Sequence, residues 1–381
     1  MKRILIFSLA YYPHVGGAEV AVKEISDRMS DIEFHMLTLN FGADVAQEKI
    51  GNIFVHRVGN GHSYLSKILF VPRAAYAARA MHATLHFDCL WAMMSYMLFP
   101  IVLLRFMRLK VPYLLTLQEG DPWEHVFSRW FILPLRPLLS MGFRHASAIQ
   151  TISTYLARWA RHMGFEKEVV VIPNGVDLER FARTAHPSVM TAGTLNLVTA
   201  SRLVRKNAID DVIRALVLLP ENVQFIVYGT GPDEAKLKKL SQELNVSDRV
   251  LFKGYIPHAE LARAFGTAHI FIRPSRSEGM GNSFIEAMAA GLPVIATQEG
   301  GIADFLFDEK RDPDKEATGW AVDKDSPEQI AFAVKDIMTN PGKVARVTAN
   351  ASRLVRERYG WNLIARQMRQ AKRSPAAKLP V

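Results

Sequence analysis

Residues 273–301 read R-P-S-R-S-E-G-M-G-N-S-F-I-E-A-M-A-A-G-L-P-V-I-A-T-Q-E-G-G, and the fold is decided here. The apolar run His269-Ile-Phe-Ile just before has the length and content of a buried strand. Gly279 and Gly281 permit a sharp turn and close backbone approach. Ser283 suits an N-cap, Phe284-Ile-Glu-Ala-Met-Ala-Ala favours helix, and Gly291 with Pro293 ends it. A helix start after a glycine turn offers free N–H groups and the positive dipole end, so it attracts phosphate. Glu278 and Glu286 flank the turn with seven residues between them. Two carboxylates around an anion-seeking helix end suit a ligand bearing hydroxyls and phosphate, which describes a nucleotide-sugar. A ligand-free explanation also stands: Ser283 and Glu286 fit an S-x-x-E capping box, with Glu278 an ordinary loop carboxylate.

Outward from this stretch, strand and helix patterns alternate. Strands are predicted at Arg3–Leu9, Glu33–Leu39, Ile53–Arg57, Asp88–Trp91, Tyr113–Leu117, Ala148–Thr151 and Val169–Ile172, and again at Leu197–Ala200, Val223–Tyr228, Val250–Phe252, His269–Arg273, Val294–Thr297 and Trp320–Val322. Helical patterns, including Ala18–Ser30, Ser66–His82, Ser153–Met163 and Ser283–Ala290, lie between them. This is the signature of parallel sheets covered on both faces. The alternation breaks between Pro173 and Asn196, where Pro173-Asn-Gly signals a turn and Val176–Thr194 is polar and irregular. The linker is placed there, giving domains 1–175 and 176–360, with a last helix at Trp361–Gln370 within a segment 361–381. Ligands of such sheets bind beyond the carboxyl ends of the strands; Gly16-Gly17, Gly229-Thr-Gly231 and the Glu278 loop all fall there.

The 381 residues suffice for two cores, and 49% of them are apolar. One cysteine, Cys89, excludes an internal disulfide and a cysteine-cluster metal site, and it fits a reducing, cytoplasmic location. The start, Met1-Lys-Arg-Ile-Leu-Ile-Phe, imitates a signal peptide but lacks a small-residue cleavage site and is read as a strand. The longest apolar stretch, Ala92–Leu104, is too short to span a bilayer and is expected to be a buried helix. The net charge of +10 is uneven: residues 51–165 hold 12 Lys/Arg against 4 Asp/Glu, and residues 353–381 hold 8 against 1. Such patches call for anionic partners. Nucleic acid is disfavoured, because no binding motif accompanies the charge.

Six elements in order carry a resemblance: Pro13-His-Val-Gly-Gly-Ala-Glu19, Ile172-Pro-Asn-Gly-Val-Asp177, Ser201-Arg-Leu-Val204, Val227-Tyr-Gly-Thr-Gly-Pro232, Gly254-Tyr-Ile-Pro-His258, and Pro274-Ser-Arg-Ser-Glu278 through Glu286-Ala-Met-Ala-Ala-Gly-Leu-Pro-Val294. Across nearly its whole length the chain resembles the retaining glycosyltransferases of family four. The resemblance implies an α/β GT-B fold, two doubly wound Rossmann-like domains facing across a cleft, with the last helix packing back on the first. It implies that Glu278 contacts donor-sugar hydroxyls and Glu286 the ribose. Gly279, Met280, Gly281 and Asn282, with Ser283 at the helix start, would present N–H groups to the sugar and diphosphate. Arg202 would bind the diphosphate, Gly229 would line the donor site, and Gly16 and Gly17 would let the first loop approach donor and acceptor. Fixed N–H groups and an arginine fork suit a leaving diphosphate that gains charge as the bond breaks.

Two positions depart from the family pattern. Relatives often carry a lysine where Asn207 stands; here Lys206 lies one residue early, and either it joins Arg202 and Glu278 as a catalytic residue by reaching the diphosphate from there or another basic residue serves. After Leu114–Leu117, Gln118-Glu-Gly-Asp121 replaces a frequent histidine. Glu119 or Asp121 then either orients the acceptor hydroxyl or merely builds a turn, and His14 positions its loop. The implied reaction is transfer from a nucleotide-diphosphate sugar to an acceptor hydroxyl of a lipid-linked or polysaccharide or other glycoconjugate precursor, with retention, by same-face attack. No cofactor or metal is called for. Aromatic and basic residues mix in His125–His145, which suits an anionic membrane surface and a lipid-linked acceptor, or equally a partly buried helix. That reading places the protein peripherally on the inner face of the cytoplasmic membrane. A non-catalytic binding subunit and a GT-B-fold nucleotide-sugar epimerase are the alternatives.

Overall fold

The chain divides into two units, Met1–Gly175 with the segment from Trp361, and Val176–Gly360. The computed structural model describes residues 1–42, 45–182 and 193–370.

The first unit contains β1 (Lys2–Phe7), α1 (Gly17–Asp27), β2 (Ile32–Asn40), β3 (Gln47–Ile50), β4 (Ile53–Asn60), α2 (Tyr64–Leu85), β5 (Cys89–Met93), α3 (Leu98–Phe106), β6 (Tyr113–Leu117), α4 (Trp123–Phe127), α5 (Arg136–Arg144), β7 (Ala148–Thr151), α6 (Thr154–His162) and β8 (Val169–Val171). Its sheet runs β3-β4-β2-β1-β5-β6-β7-β8. Every residue of β5, β6 and β7 is buried, because helices cover both faces of these parallel strands. Among the described residues only β3 is antiparallel, pairing Gln47 with His56. Its sequence, Q-E-K-I, carries no apolar period, and its charged residues suit a sheet edge.

The second unit contains α7 (Leu178–Ala182), β9 (Leu195–Ala200), α8 (Ile209–Leu216), β10 (Val223–Tyr228), α9 (Glu234–Glu243), β11 (Val250–Gly254), α10 (His258–Gly266), β12 (Ile270–Arg273), α11 (Asn282–Ala289), β13 (Val294–Ala296), β14 (Trp320–Ala321), α12 (Pro327–Thr339) and α13 (Pro341–Arg358). Its sheet is parallel throughout, ordered β11-β10-β9-β12-β13-β14. Last comes α14 (Trp361–Gln370), which packs on α1 and sends Trp361, Ile364 and Met368 into the first unit's core. Arg28 holds it through Asn362 at 2.9 Å, and Arg369 pairs with Asp31.

Three expectations change. The run Ala92–Leu104 is not one helix: β5 ends at Met93, Met94 takes φ +68°, a 3-10 turn follows, and α3 starts at Leu98. Among the described residues no helix is long and apolar enough to cross a membrane. The stretch Val176–Thr194 is not all irregular, since α7 lies in it, and its residues 183–192 fall outside those described. His125–His145 is broken into the end of α4, a 3-10 turn and α5. The basic tail from residue 371 onward also lies outside the described residues.

Candidate donor site at the second sheet

Strand order reverses between β9 and β12, so the chain leaves the sheet in opposite directions there and opens a crevice at the carboxyl ends. The β9 end delivers Ser201-Arg202, and the β12 end delivers the Pro274–Glu278 loop. Arg276 binds these two loops together. Its N–H donates to the Lys206 carbonyl at 2.7 Å and its guanidinium to the Arg205 carbonyl at 2.7 Å. The same guanidinium meets Asp210 and Asp211 at 2.9 Å and Asp325 at 2.6 Å. Asp211 is pushed up to about 6, first by burial and then by Asp210, against the pull of Arg276.

Glu278 is positioned by Arg273, the buried last residue of β12. The Arg273 guanidinium donates to Glu278 Oε2 at 2.9 Å and to Ser283 Oγ at 3.0 Å, and lies 4.2 Å above the Phe284 ring. Burial lowers the Arg273 pKa, and the charges of Glu278 and Glu286 oppose that shift. The second oxygen of Glu278 accepts the Gly279 N–H at 3.1 Å. Gly300, at φ +63°, lies so close that a Cβ there would stand 1.9 Å from the Glu278 carbonyl oxygen. Arg273 and Gly300 are site residues that the sequence motifs do not single out, although a charged residue closing an apolar strand five positions before an acid is a readable signal.

The helix start differs from expectation. Gly281, at φ +83°, is the N-cap, so Asn282 opens α11 and Ser283 lies inside the first turn. Ser283 therefore builds no capping box with Glu286; its hydroxyl is spent on Arg273. Only glycine fits at 281, since a Cβ would sit 2.5 Å from both Arg273 and Phe284. Gly279 and Met280 are buried, and Gly281, Asn282 and Ser283 are half-buried around the turn. Glu286, also buried, has its Oε1 2.8 Å from His258 Nε2 at the start of α10.

Arg202 is exposed, and its guanidinium has no hydrogen bond or ion pair among the described residues. Lys206 lies half-buried in the 3-10 turn Arg205–Asn207. Asn207 is buried and donates to the Arg202 carbonyl at 2.7 Å, so the residue in the usual lysine position fixes the loop carrying Arg202. Gly229, at φ +130°, packs against that same loop: a Cβ would stand 1.8 Å from the Ser201 carbonyl oxygen. Its backbone approach to Arg202's loop explains the glycine.

The remaining candidates belong to the first unit. Gly16 caps α1, and its N–H is taken by the Glu19 carboxylate at 2.8 Å, while Gly17 is the exposed first residue of the helix. Burial raises the Glu19 pKa, against the backbone N–H bonds that favour its charge. His14 is exposed and meets the Phe41 ring edge-on at 5.4 Å. Glu119 is buried beyond β6: one oxygen accepts both the Ser95 N–H and hydroxyl at 2.6 Å, and the other is enclosed. Burial raises its pKa. Its observed work is to clamp the turn after β5, whereas Asp121 is half-exposed, 4.0 Å from His125.

Two family models match the chain, "Glycosyltransferase Family 4" over residues 15–180 and "Glycosyl transferases group 1" over residues 190–354. The chain belongs to this glycosyltransferase family. A GDP-mannose-dependent alpha-(1-6)-phosphatidylinositol monomannoside mannosyltransferase of Mycolicibacterium smegmatis is 29% identical over 250 residues, 61% of this chain and 64% of that protein. The chain thus spans just under two thirds of that relative's length. The phosphatidylinositol N-acetylglucosaminyltransferase of Arabidopsis thaliana is similar through one of its subunits, 31% identical over 164 residues, 41% of this chain and 36% of that protein. The solved sucrose-phosphate synthase of Thermosynechococcus elongatus matches with a TM-score of 0.83 at 22% identity, covering 98% of each chain, and shares the two-Rossmann GT-B fold.

Proposed function

We propose that this member of the family transfers a sugar from a nucleotide-diphosphate sugar to a hydroxyl of a lipid-linked acceptor, with retention. The observation that carries this is the pair of acids at the two ends of one glycine turn, beside an exposed arginine on the neighbouring loop. Glu286 takes the ribose, and the start of α11 with Arg202 and Lys206 takes the diphosphate. Glu278 accepts from donor-sugar hydroxyls. Tied to Arg273 at 2.9 Å, its carboxylate is a rigid acceptor and a poor nucleophile. The acceptor hydroxyl therefore attacks from the face the diphosphate leaves, and a departing phosphate oxygen takes its proton. Charge on the leaving group is met by the two cations and the helix start, without a divalent ion.

A lipid-linked acceptor is favoured by both curated relatives, whose names include phosphatidylinositol. In the first unit Tyr64, Leu65, Ile68 and Tyr76 of α2 are exposed, as are Trp130 (83%) and Leu133. Apolar residues among Lys67, Arg73, Arg79, Arg129 and Arg136 suit peripheral attachment to an anionic membrane, with the nucleotide-sugar drawn from the cytoplasmic side.

The test measures nucleotide release from a panel of nucleotide-sugars with phosphatidylinositol-type acceptors in detergent. Acceptor-dependent release is expected, unaffected by excess chelator, and reduced roughly 100-fold or more by Glu278→Gln. Acceptor-independent release of an epimerised sugar, or no turnover with any pair, overturns the reading. A glycosyl group trapped on a carboxylate overturns the same-face mechanism.

A further inference from the structure

The proposed ribose acid is not alone. His258 touches Glu286 with one ring nitrogen, Nε2 at 2.8 Å, and Arg180 with the other, Nδ1 at 3.3 Å from Nη1. Arg180 sits on α7, where its guanidinium is 3.4 Å from Asp177. A guanidinium only donates. The Nδ1 atom facing it must therefore accept, which leaves the proton on Nε2, aimed at Glu286. This chain of three side chains from α7, α10 and α11 fixes one tautomer of the imidazole and, through it, the plane of the carboxylate.

The consequence lies at the other carboxylate oxygen. Glu286 is buried, its side chain 7% exposed, yet its Oε2 has no hydrogen-bond partner among the described residues and is not among the fully enclosed polar atoms. One oxygen is spent on His258, and the second is held open in a set direction. A vicinal diol needs an acceptor held in that way, because a carboxylate free to rotate loses the alignment for paired hydroxyls.

We infer that His258 is a positioning residue for nucleotide recognition: it orients Glu286 toward the ribose hydroxyls, with Arg180 setting its tautomer. This rests on the reading of Glu286 as the ribose acid. His258 does not touch the reacting atoms, so its loss weakens donor binding and leaves the chemical step intact.

The experiment titrates the full chain with GDP and UDP and with their 2′,3′-dideoxy counterparts, and measures donor KM and kcat. For whichever nucleotide binds more tightly, the wild type is expected to favour the ribose form by about tenfold. His258→Ala should weaken the ribose form about tenfold and the dideoxy form less than twofold, raising donor KM with kcat within about twofold. His258→Gln, whose amide N–H replaces the Nε2 donor, should recover most of the preference. Equal weakening of both forms by His258→Ala, or no weakening, overturns the inference, and so does failure of the glutamine to rescue. Glu286→Ala separates the two levels. If the wild type does not prefer ribose and Glu286→Ala changes nothing, or if neither nucleotide binds, the ribose reading has failed and this inference with it. If Glu286→Ala abolishes the preference and His258→Ala keeps it, only the positioning role is lost.

Discussion

Arg273 is enclosed among β9, β12 and α11, and its one carboxylate partner among the described residues is Glu278. Removing one member of a buried pair leaves the other charge without compensation, which costs about 3–5 kcal/mol. Arg273→Ala should lose roughly that much unfolding free energy in urea. The double variant Arg273→Ala/Glu278→Ala should recover part of it, because no charge is then stranded. Asp211 gives a second test at this scale. Its folded pKa is about 6 against an ordinary value of 3.8, so between those values the folded chain holds a proton that the unfolded chain has shed. Its contribution to stability therefore rises as pH falls through 6. From about pH 7 to about pH 5 the wild type should gain about 1 kcal/mol over Asp211→Asn in chemical unfolding. These partnerships are not legible in the chain. The acids at 278 and 286 announce themselves by their spacing around glycines, but which cation holds each depends on strand order, which brings Ala200, Arg273 and Ser283 together from three elements.

Elements are the most readable level. Tyr113–Leu117, Ala148–Thr151, Val223–Tyr228 and Trp361–Gln370 have the boundaries their apolar patterns suggest, because burial on both faces or along one stripe leaves a strong period. The start of α11 departs from expectation for a local reason: Ser283 is a good cap by composition, but Gly281 reaches a positive φ that a serine avoids and so starts the helix earlier. The short β3 and the pair α12 and α13 are not among the predicted elements, the first for lack of period. Docking of α14 provides a test here. Trp361 is 4% exposed and fills the first unit's core, where Gly175 leaves room for its ring. Trp361→Ala should lose about 3–5 kcal/mol in urea unfolding.

For the whole molecule, the acids and cations assigned to the donor's ribose, diphosphate and sugar belong to Val176–Gly360, and only the Gly16-Gly17 loop, expected to approach the donor, belongs to the other unit. A nucleoside diphosphate at a hundred times its dissociation constant should raise stability by about 2.7 kcal/mol. Hydrogen exchange should slow most at residues 201–207 and 277–285. Uniform slowing across Met1–Gly175, beyond the Gly16-Gly17 loop, would contradict a donor site built mainly on the second sheet. The exposed apolar residues of α2 and the Arg129–Arg136 stretch make a separate claim. Sedimentation with anionic vesicles should fall several-fold in Trp130→Ser/Leu65→Ser, with turnover on a water-soluble acceptor unchanged.

The Arg276 knot bears on how this crevice can diversify. One residue satisfies three acids and two carbonyls drawn from both walls of the crevice, so a change at any one of them strands the rest. Natural drift or laboratory selection toward a new ligand there is thus channelled away from Arg276, Asp210, Asp211 and Asp325. It is steered toward Met280 and Asn282, which line the glycine turn and take no part in the knot. A randomised library built on those two positions should yield far more folded clones than one of equal size built on the knot.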